Sequence, residues 1–460
     1  MTFTTRKNLS SIPITPITRS GLTKQKKLLK SSKIEWFNKV GFSGAPGTTC
    51  YFPGSKTQGL EIFLGVEESD EPGGDIWDLA GLPKQLPKGK YFLNKELSPA
   101  AATRACIGWA LGNYIFNKYK KHPKSLAELV WPNGADKKDV IRVSAGIGLT
   151  RDLINTPAND LGPQDLAQIS REIAKKFKAK ISVISGQNLL RQNYPSIHAV
   201  GRASSSQPCL IDITWGKLSA PKVTLVGKGV CFDSGGLDIK PAAGMLNMKK
   251  DMGGAAQVLG LSHMVMDAGL PIRLRVLIPA VENAISGNAF RPRDVLQTRK
   301  GLTVEVGNTD AEGRLVLSDA LTEASRDKPS MIIDFATLTG AARVAMGTDI
   351  PALFCNNDEL ANSLLNYGAE TEDPLWRLPL WKGYRSMLDS KIADLSSTGT
   401  TPFGGAITAA LFLEHFVDTN IPWAHIDLMA YNNNSRPGRP EGGEAQGIRG
   451  IYSMLKDRFG

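Results

Sequence analysis

A chain of 460 residues, 42% hydrophobic and 22% charged, has the make-up of a soluble globular protein, and it is too long for one ordinary core, so two domains are expected. No apolar run approaches the roughly 18 residues that a membrane-spanning helix needs. The net charge of +11 is concentrated early, where Arg6, Lys7, Arg19, Lys24, Lys26, Lys27, Lys30, Lys33 and Lys39 face Glu35 alone; this fits a transit peptide or a basic domain surface, but not a secretion signal, whose apolar centre is missing.

Residues 1–95 mix short apolar runs with turn clusters such as "GFSGAPGTTCYFPG" and "EPGGDIWDLAGLPKQLPKG". Within them "GLEIFLGV" reads as a strand. From Ser98, a good helix cap, the pattern predicts a helix to about Lys121. "VIRVSAGIGLTRDLINTP" is helical until Asn155, and the domain boundary is placed near Val143, giving domains 1–142 and 143–460. The pattern then alternates. "GPQDLAQISREIAKKFKA" is an amphipathic helix, "KISVIS" a strand and "QNLLRQN" a short helix. "CLIDITW" and "KVTLVGKG" are strands, followed by the helix "GGAAQVLGLSHMVMDAG". "IRLRVLIPAV", "DVLQT" and "LTVEV" are strands. A helix is expected from about Ser318, then the strand "SMIIDFATL" and the helix "GAITAALFLEHFV". Strands alternating with helices predict an α/β fold. The catalytic domain should be a mixed, mainly parallel sheet flanked by helices, preceded by a smaller N-terminal α/β domain. Functional residues of such folds gather at the carboxyl ends of the strands.

Five scattered cysteines with no CxxC exclude a disulfide framework and a zinc-thiolate site, and point to a reducing, cytoplasmic compartment. The five histidines show no ligand spacing of the HExxH kind. A metal, if bound, would therefore have mostly oxygen ligands.

Two segments carry the chemistry. In "VGNTDAEGRLVL" (306–317), Asn308, Asp310, Glu312 and Arg314 fall on alternate positions. Read as extended chain, they share one face. Such a run is either the wet face of an edge strand or one half of a cation site, where a divalent ion would relieve the repulsion of paired carboxylates. The second segment, residues 222–256, runs from the strand Val223–Val226 into Gly227-Lys228-Gly229 and presents Asp233, Lys240 and Asp251. It is not a phosphate loop, since Lys222 stands where GxxxxGK[ST] needs glycine and Gly229 where it needs Ser or Thr.

"NTDAEGRL", with "GKGVCFDSGG", "IKP" and "MKKDMGGAA", resembles the leucyl aminopeptidase family, the M17 cytosol aminopeptidases. "NTPANDLGP", "DFATLTGA", "GGAITAALFL" and "WAHIDLMA" extend the likeness over residues 145–460. The resemblance implies two divalent cations per subunit, zinc or manganese, with magnesium or cobalt as alternatives. Lys228, Asp233, Asp251, Asp310 and Glu312 occupy the family's ligand positions, with Asp233 and Glu312 bridging. Lys240 and Arg314 match the two catalytic positions, Lys240 for the developing oxyanion and Arg314 for a bicarbonate acting as general base. Met248, Asn308, Thr337, Leu338 and Gly340 match positions lining the substrate site. Peptides with a free, apolar first residue such as leucine are the implied substrates, and a homohexamer (a dimer of trimers) the implied assembly. Two departures stand out: Cys231 where the family usually has Thr, and Arg293 where Gly is common. A second reading, DNA binding as in some bacterial members, is compatible with +11 but has no helix-turn-helix or aromatic-interleaved basic stripe behind it.

Overall fold

The computed structural model describes residues 3–25, 29–53, 59–123 and 126–460; Lys26, Lys27 and Gly54 of the segments named above lie outside the described residues. The chain forms two compact units. One comprises Met1–Ser144 with Asn434–Glu441, the other Ala145–Asn433 with Gly442–Gly460.

The first unit holds a six-stranded sheet. Its order is Phe3–Thr4, Ala127–Val130, Gly89–Leu93, Ile12–Ile17, Leu60–Gly65, Thr49–Pro53, parallel except for the last pair. Ile12–Ile17 is an inner strand despite Pro13 and Pro16. Ser98 caps a helix as expected, accepting from Ala101 N, but that helix ends at Gly112, well before Lys121. Arg439, from the returning segment 434–441, lies over the Trp77 ring at 4.2 Å.

The second unit is built on a nine-stranded mixed sheet. We label its strands β1 (Lys180–Ser185), β2 (Cys209–Trp215), β3 (Lys222–Gly227), β4 (Gly229–Asp233), β5 (Arg273–Asn283), β6 (Met331–Ala336), β7 (Ala352–Cys355), β8 (Trp376–Arg377) and β9 (Trp423–Asp427). The order is β8-β7-β9-β6-β3-β5-β2-β1, with β4 alongside β5. The central strands β9, β6, β3 and β5 run parallel. They are buried on both faces, so Val223, Leu225, Val226, Ile332, Ile333 and Phe335 form near-continuous apolar runs. Six longer helices lie wholly within this unit, α1 (Pro163–Phe177), α2 (Gly253–Ala268), α3 (Glu312–Arg326), α4 (Asp358–Glu370), α5 (Gly405–Glu414) and α6 (Ile448–Phe459), and the helix Lys137–Asn155 enters it from the first unit. No helix among the described residues is long and apolar enough to cross a membrane.

One local expectation is overturned. Beyond Asn308, which is itself extended, residues 309–315 are not. After a strand at Thr303–Glu305 the chain makes a 3-10 turn at Thr309–Ala311 and enters α3 at Glu312, six residues before the expected start at Ser318. Asn308 caps this turn, its side chain accepting from Asp310 N at 2.7 Å. Glu312 and Arg314 therefore sit about 200° apart around a helix rather than on one strand face.

Candidate active site

Four parallel strands deliver the site at their carboxyl ends. Lys228 directly follows β3, Asp233 ends β4, Thr337 follows β6 and Asp427 ends β9. Asp251 comes from a 3-10 turn, Met248–Met252, that leads into α2; Glu312 opens α3. Two glycines make this convergence possible. A Cβ on Gly254 would fall 2.0 Å from Phe335 O, so only glycine lets α2 start against β6. A Cβ on Gly313 would fall 2.6 Å from Lys228 Cε, so the space beside Glu312 belongs to that lysine.

The side chains form two linked clusters. Lys228 Nζ lies 2.7 Å from Asp251 and 2.9 Å from Glu312, and donates to Thr337 O at 3.0 Å. Lys240 Nζ lies 2.7 Å from Asp233 and also pairs with Asp310. Carboxylate oxygens of Asp233, Asp310 and Glu312 come within 4.8 Å of one another, which joins the two clusters. All five expected ligand positions and Lys240 are thus in one place. Arg314, on the same helix turn as Glu312, donates instead to Ser397 O at 2.6 Å, and its buried Nε has no acceptor.

Burial sets the electrostatics. Glu312 is pushed up to about 8 by burial and by the nearby charge of Asp233. Asp310 rises to about 6 for the same two reasons. Burial opposes ionisation of Asp251 too, but Lys228 and Lys250 overcome it and hold its pKa below the usual value. Burial likewise disfavours the charge on Lys228, yet Asp251, Glu312 and Asp233 raise its pKa. Lys240 is raised in the same way by Asp233 and Asp310. Arg314 is lowered by burial to about 10. Four carboxylates face two ammonium groups here, which leaves the set acidic, and buried Glu312 Oε2 has no hydrogen-bond partner. Carboxylate donors in excess of their counter-charge suit divalent cations.

Of the substrate-site candidates, Thr337 donates to Asp251 Oδ1 at 2.8 Å and so fixes that carboxylate. Leu338 shares its loop, Gly340 opens the short helix Gly340–Met346 that follows it, Met248 opens the turn that carries Asp251, and Asn308 acts as a cap. Three further residues organise the site and escaped the sequence reading. Asp427 accepts from Leu338 N, Thr339 N and Thr339 Oγ1, which locks the loop after β6. Asn283 donates to Asp233 at 2.9 Å and to Thr309 O at 3.0 Å. Thr309 ties the 3-10 turn to the loop after β4 through Gly235 O and Asp238. A lone polar residue ending an apolar strand was the available signal for Asp427 and Asn283; Thr309 offered none.

Residues 148–452 match the profile of the cytosol aminopeptidase family, catalytic domain, and residues 12–132 that of the M17 aminopeptidase N-terminal domain. The chain belongs to the cytosol aminopeptidase family. It is 42% identical over 384 residues to a probable cytosol aminopeptidase of Roseiflexus castenholzii, covering 79% of this chain and 78% of that one. The crystal structure of a cytosol aminopeptidase from Coxiella burnetii is similar over 100% of this chain and 99% of its own, with a TM-score of 0.94 and 49% identity. The bottromycin maturation enzyme BotP in complex with Mn is similar over 98% of this chain and 100% of its own, with a TM-score of 0.88 and 30% identity. With the family comes its activity: this protein is a metalloaminopeptidase, with the two-domain α/β architecture of the M17 enzymes. The departures have structural accounts. Cys231 is 1% exposed and its thiol is raised by burial, so it packs without reacting. Arg293 adopts φ +70°, a conformation that suits glycine, and pairs with Glu305.

Proposed function

We propose that the catalytic unit holds two divalent cations among Lys228, Asp233, Asp251, Asp310 and Glu312 and removes the N-terminal residue from peptides. The observation that carries this is the excess of buried carboxylate over ammonium, with Glu312 Oε2 left unpartnered. Bound there, the ions would supply the polarising charge and acidify a water, the usual service of a dinuclear site. Manganese or zinc suits the donors best, and the manganese complex of BotP favours manganese.

The protein's own residues divide the remaining work. Lys228 would act as a neutral amine ligand, releasing its proton to solvent when the cations take over Asp251 and Glu312. Lys240 would keep its proton and stabilise the oxyanion. Arg314, with Nε buried and unpartnered, has a vacant donor for a planar anion such as bicarbonate, the base that the resemblance implies. The substrate's amino group would bind beside Lys228 and Asp251, which confines cleavage to the first residue. Met248 and Leu338 offer that residue apolar contact.

The test compares leucine-anilide with its N-acetylated form, alongside metal analysis after dialysis. Cleavage of the free amine only, with two ions per chain, is expected; efficient hydrolysis of the blocked compound would contradict the reading. We also propose a homohexamer. Exposed Val344, Trp376, Trp381 and Phe403 on the catalytic unit give association apolar surface to bury. A monomeric mass by light scattering for a fully active sample would sink that assembly.

A further inference from the structure

Lys240 is held here by the two carboxylates it touches. Its Nζ lies 2.7 Å from Asp233 and also pairs with Asp310. The reading above assigns both carboxylates to cations. Carboxylates that neutralise a metal have little charge to spare for an ammonium. A lysine on a flexible four-carbon stem must then take its place from the backbone beneath it.

That backbone is the loop 234–240, which follows β4. Packing holds little of it, since Leu237 and Ile239 are largely exposed. Hydrogen bonds define it instead. At its root, Ser234 N and Oγ donate to Asn283 O at 3.1 and 2.8 Å, and Lys240 N closes the loop onto Ser234 O at 3.0 Å. Gly235 and Gly236 make the bend at φ +88° and +67°. Opposite the root, Asp238 reaches Thr309, the residue immediately before Asp310. Asp238 N donates to Thr309 Oγ1 at 2.8 Å, and the Asp238 carboxylate accepts from Thr309 N at 2.8 Å. Thr309 Oγ1 donates to Gly235 O at 2.6 Å. Thr309 is fully buried, so it is a firm anchor, whereas Asp238 is exposed. None of these bonds uses a carboxylate that a cation would claim.

We infer that Asp238 is a positioning residue for Lys240: by clamping the loop to Thr309 it sets the ammonium of Lys240 against the turn that carries Asp310, with or without bound metal. The inference rests on the aminopeptidase reading above, which gives Lys240 the developing oxyanion. Asp238 touches neither the substrate nor the reacting atoms in this role. Its carboxylate is spent on a backbone N–H, so an uncharged acceptor of the same shape can replace it.

The test uses manganese-loaded full-length protein and leucine-anilide. Asp238→Ala should lower kcat by about 10–100-fold, the scale of a misplaced catalytic group and less than the loss of Lys240 itself, with KM and metal content close to normal. Asp238→Asn should restore most of the rate. In a Lys240→Ala background, Asp238→Ala should cost nothing further, because the group it positions is gone. Hydrogen–deuterium exchange gives a readout apart from turnover. In Asp238→Ala, amides 234–240 should exchange faster than in the unaltered protein, and the difference should be larger with manganese bound than without it, since Asp233 and Asp310 hold Lys240 in the metal-free form. An unchanged kcat, an equal loss in the Lys240→Ala background, or lost metal in place of lost kcat would each overturn the inference while leaving the aminopeptidase reading intact. If the unaltered enzyme cleaves no free-amine anilide, that reading fails and this inference with it.

Discussion

The two halves of the carboxylate cluster use the same chemistry in different surroundings. In the inner half, the side chains of Lys228, Asp251 and Glu312 are at most 4% exposed. In the outer half, Lys240 is 14% and Asp310 33% exposed, while Asp233, which joins the two halves, is as deeply buried as the inner residues. Burial, with repulsion from Asp233, raises the deeper Glu312 to about 8 but the shallower Asp310 only to about 6. Depth decides the difference: charge in the inner half must be matched permanently, whereas water helps to carry it in the outer half. The inner half is accordingly built to hold, and the outer half to exchange with substrate and solvent.

The sharpest way to break this comparison is to remove one carboxylate from each half. Glu312→Gln should lower kcat/KM on the order of a thousandfold or more and weaken metal binding, with Asp310→Asn milder in both respects. Equal losses in the two variants would erase the distinction. Lys240→Ala should lower kcat by about 10²–10³, as for loss of an oxyanion donor, while metal content stays normal. Loss of metal with normal turnover per remaining site would show that the two lysines have been given each other's tasks.

Depth also sets a pH dependence. Glu312 titrates near 8 in the folded, metal-free chain but near 4.3 when unfolded. Between those values the folded form holds the extra proton, so stability contributed by this group is lost as pH rises through that window. Metal-free protein should therefore melt at lower temperature at pH 8 than at pH 5.5, and added manganese should shrink the gap. Metal uptake at pH 7 should release about two protons, one from Lys228 and most of one from Glu312, measurable by calorimetry in buffers of different ionisation enthalpy. A gap that persists with saturating metal would place the effect elsewhere. The smallest effect is expected from Thr337→Val, which removes the hydroxyl held against Asp251; about 1–3 kcal/mol of stability should be lost, read from denaturant unfolding.

Much of the second unit was legible because its central strands are buried on both faces and read as apolar runs between helices. The cluster was legible through the residues of two motifs, but not through their geometry. Alternation at Asn308, Asp310, Glu312 and Arg314 looked like strand periodicity. The run is too short to tell two residues per repeat from a turn that opens a helix. The pairing it hid is informative: Asp310 meets Lys240 and Glu312 meets Lys228 because the chain turns between them. In the first unit, Pro13 and Pro16 obscured an inner strand, since proline ordinarily marks an edge. Asn283 and Thr309 act through contacts with residues 26 to 74 positions away, and no local pattern encodes such partners.

The segment 434–441 has a consequence for how the chain is made. It belongs to the first unit, where Arg439 covers Trp77, yet almost all of the second unit lies between them in sequence. Synthesis runs from the amino end, and early domains ordinarily fold as they emerge. Here the earliest-made unit stays unfinished until nearly the last residues leave the ribosome, so a stalled or truncated product would carry an uncovered Trp77, a mark by which incomplete chains differ from finished ones.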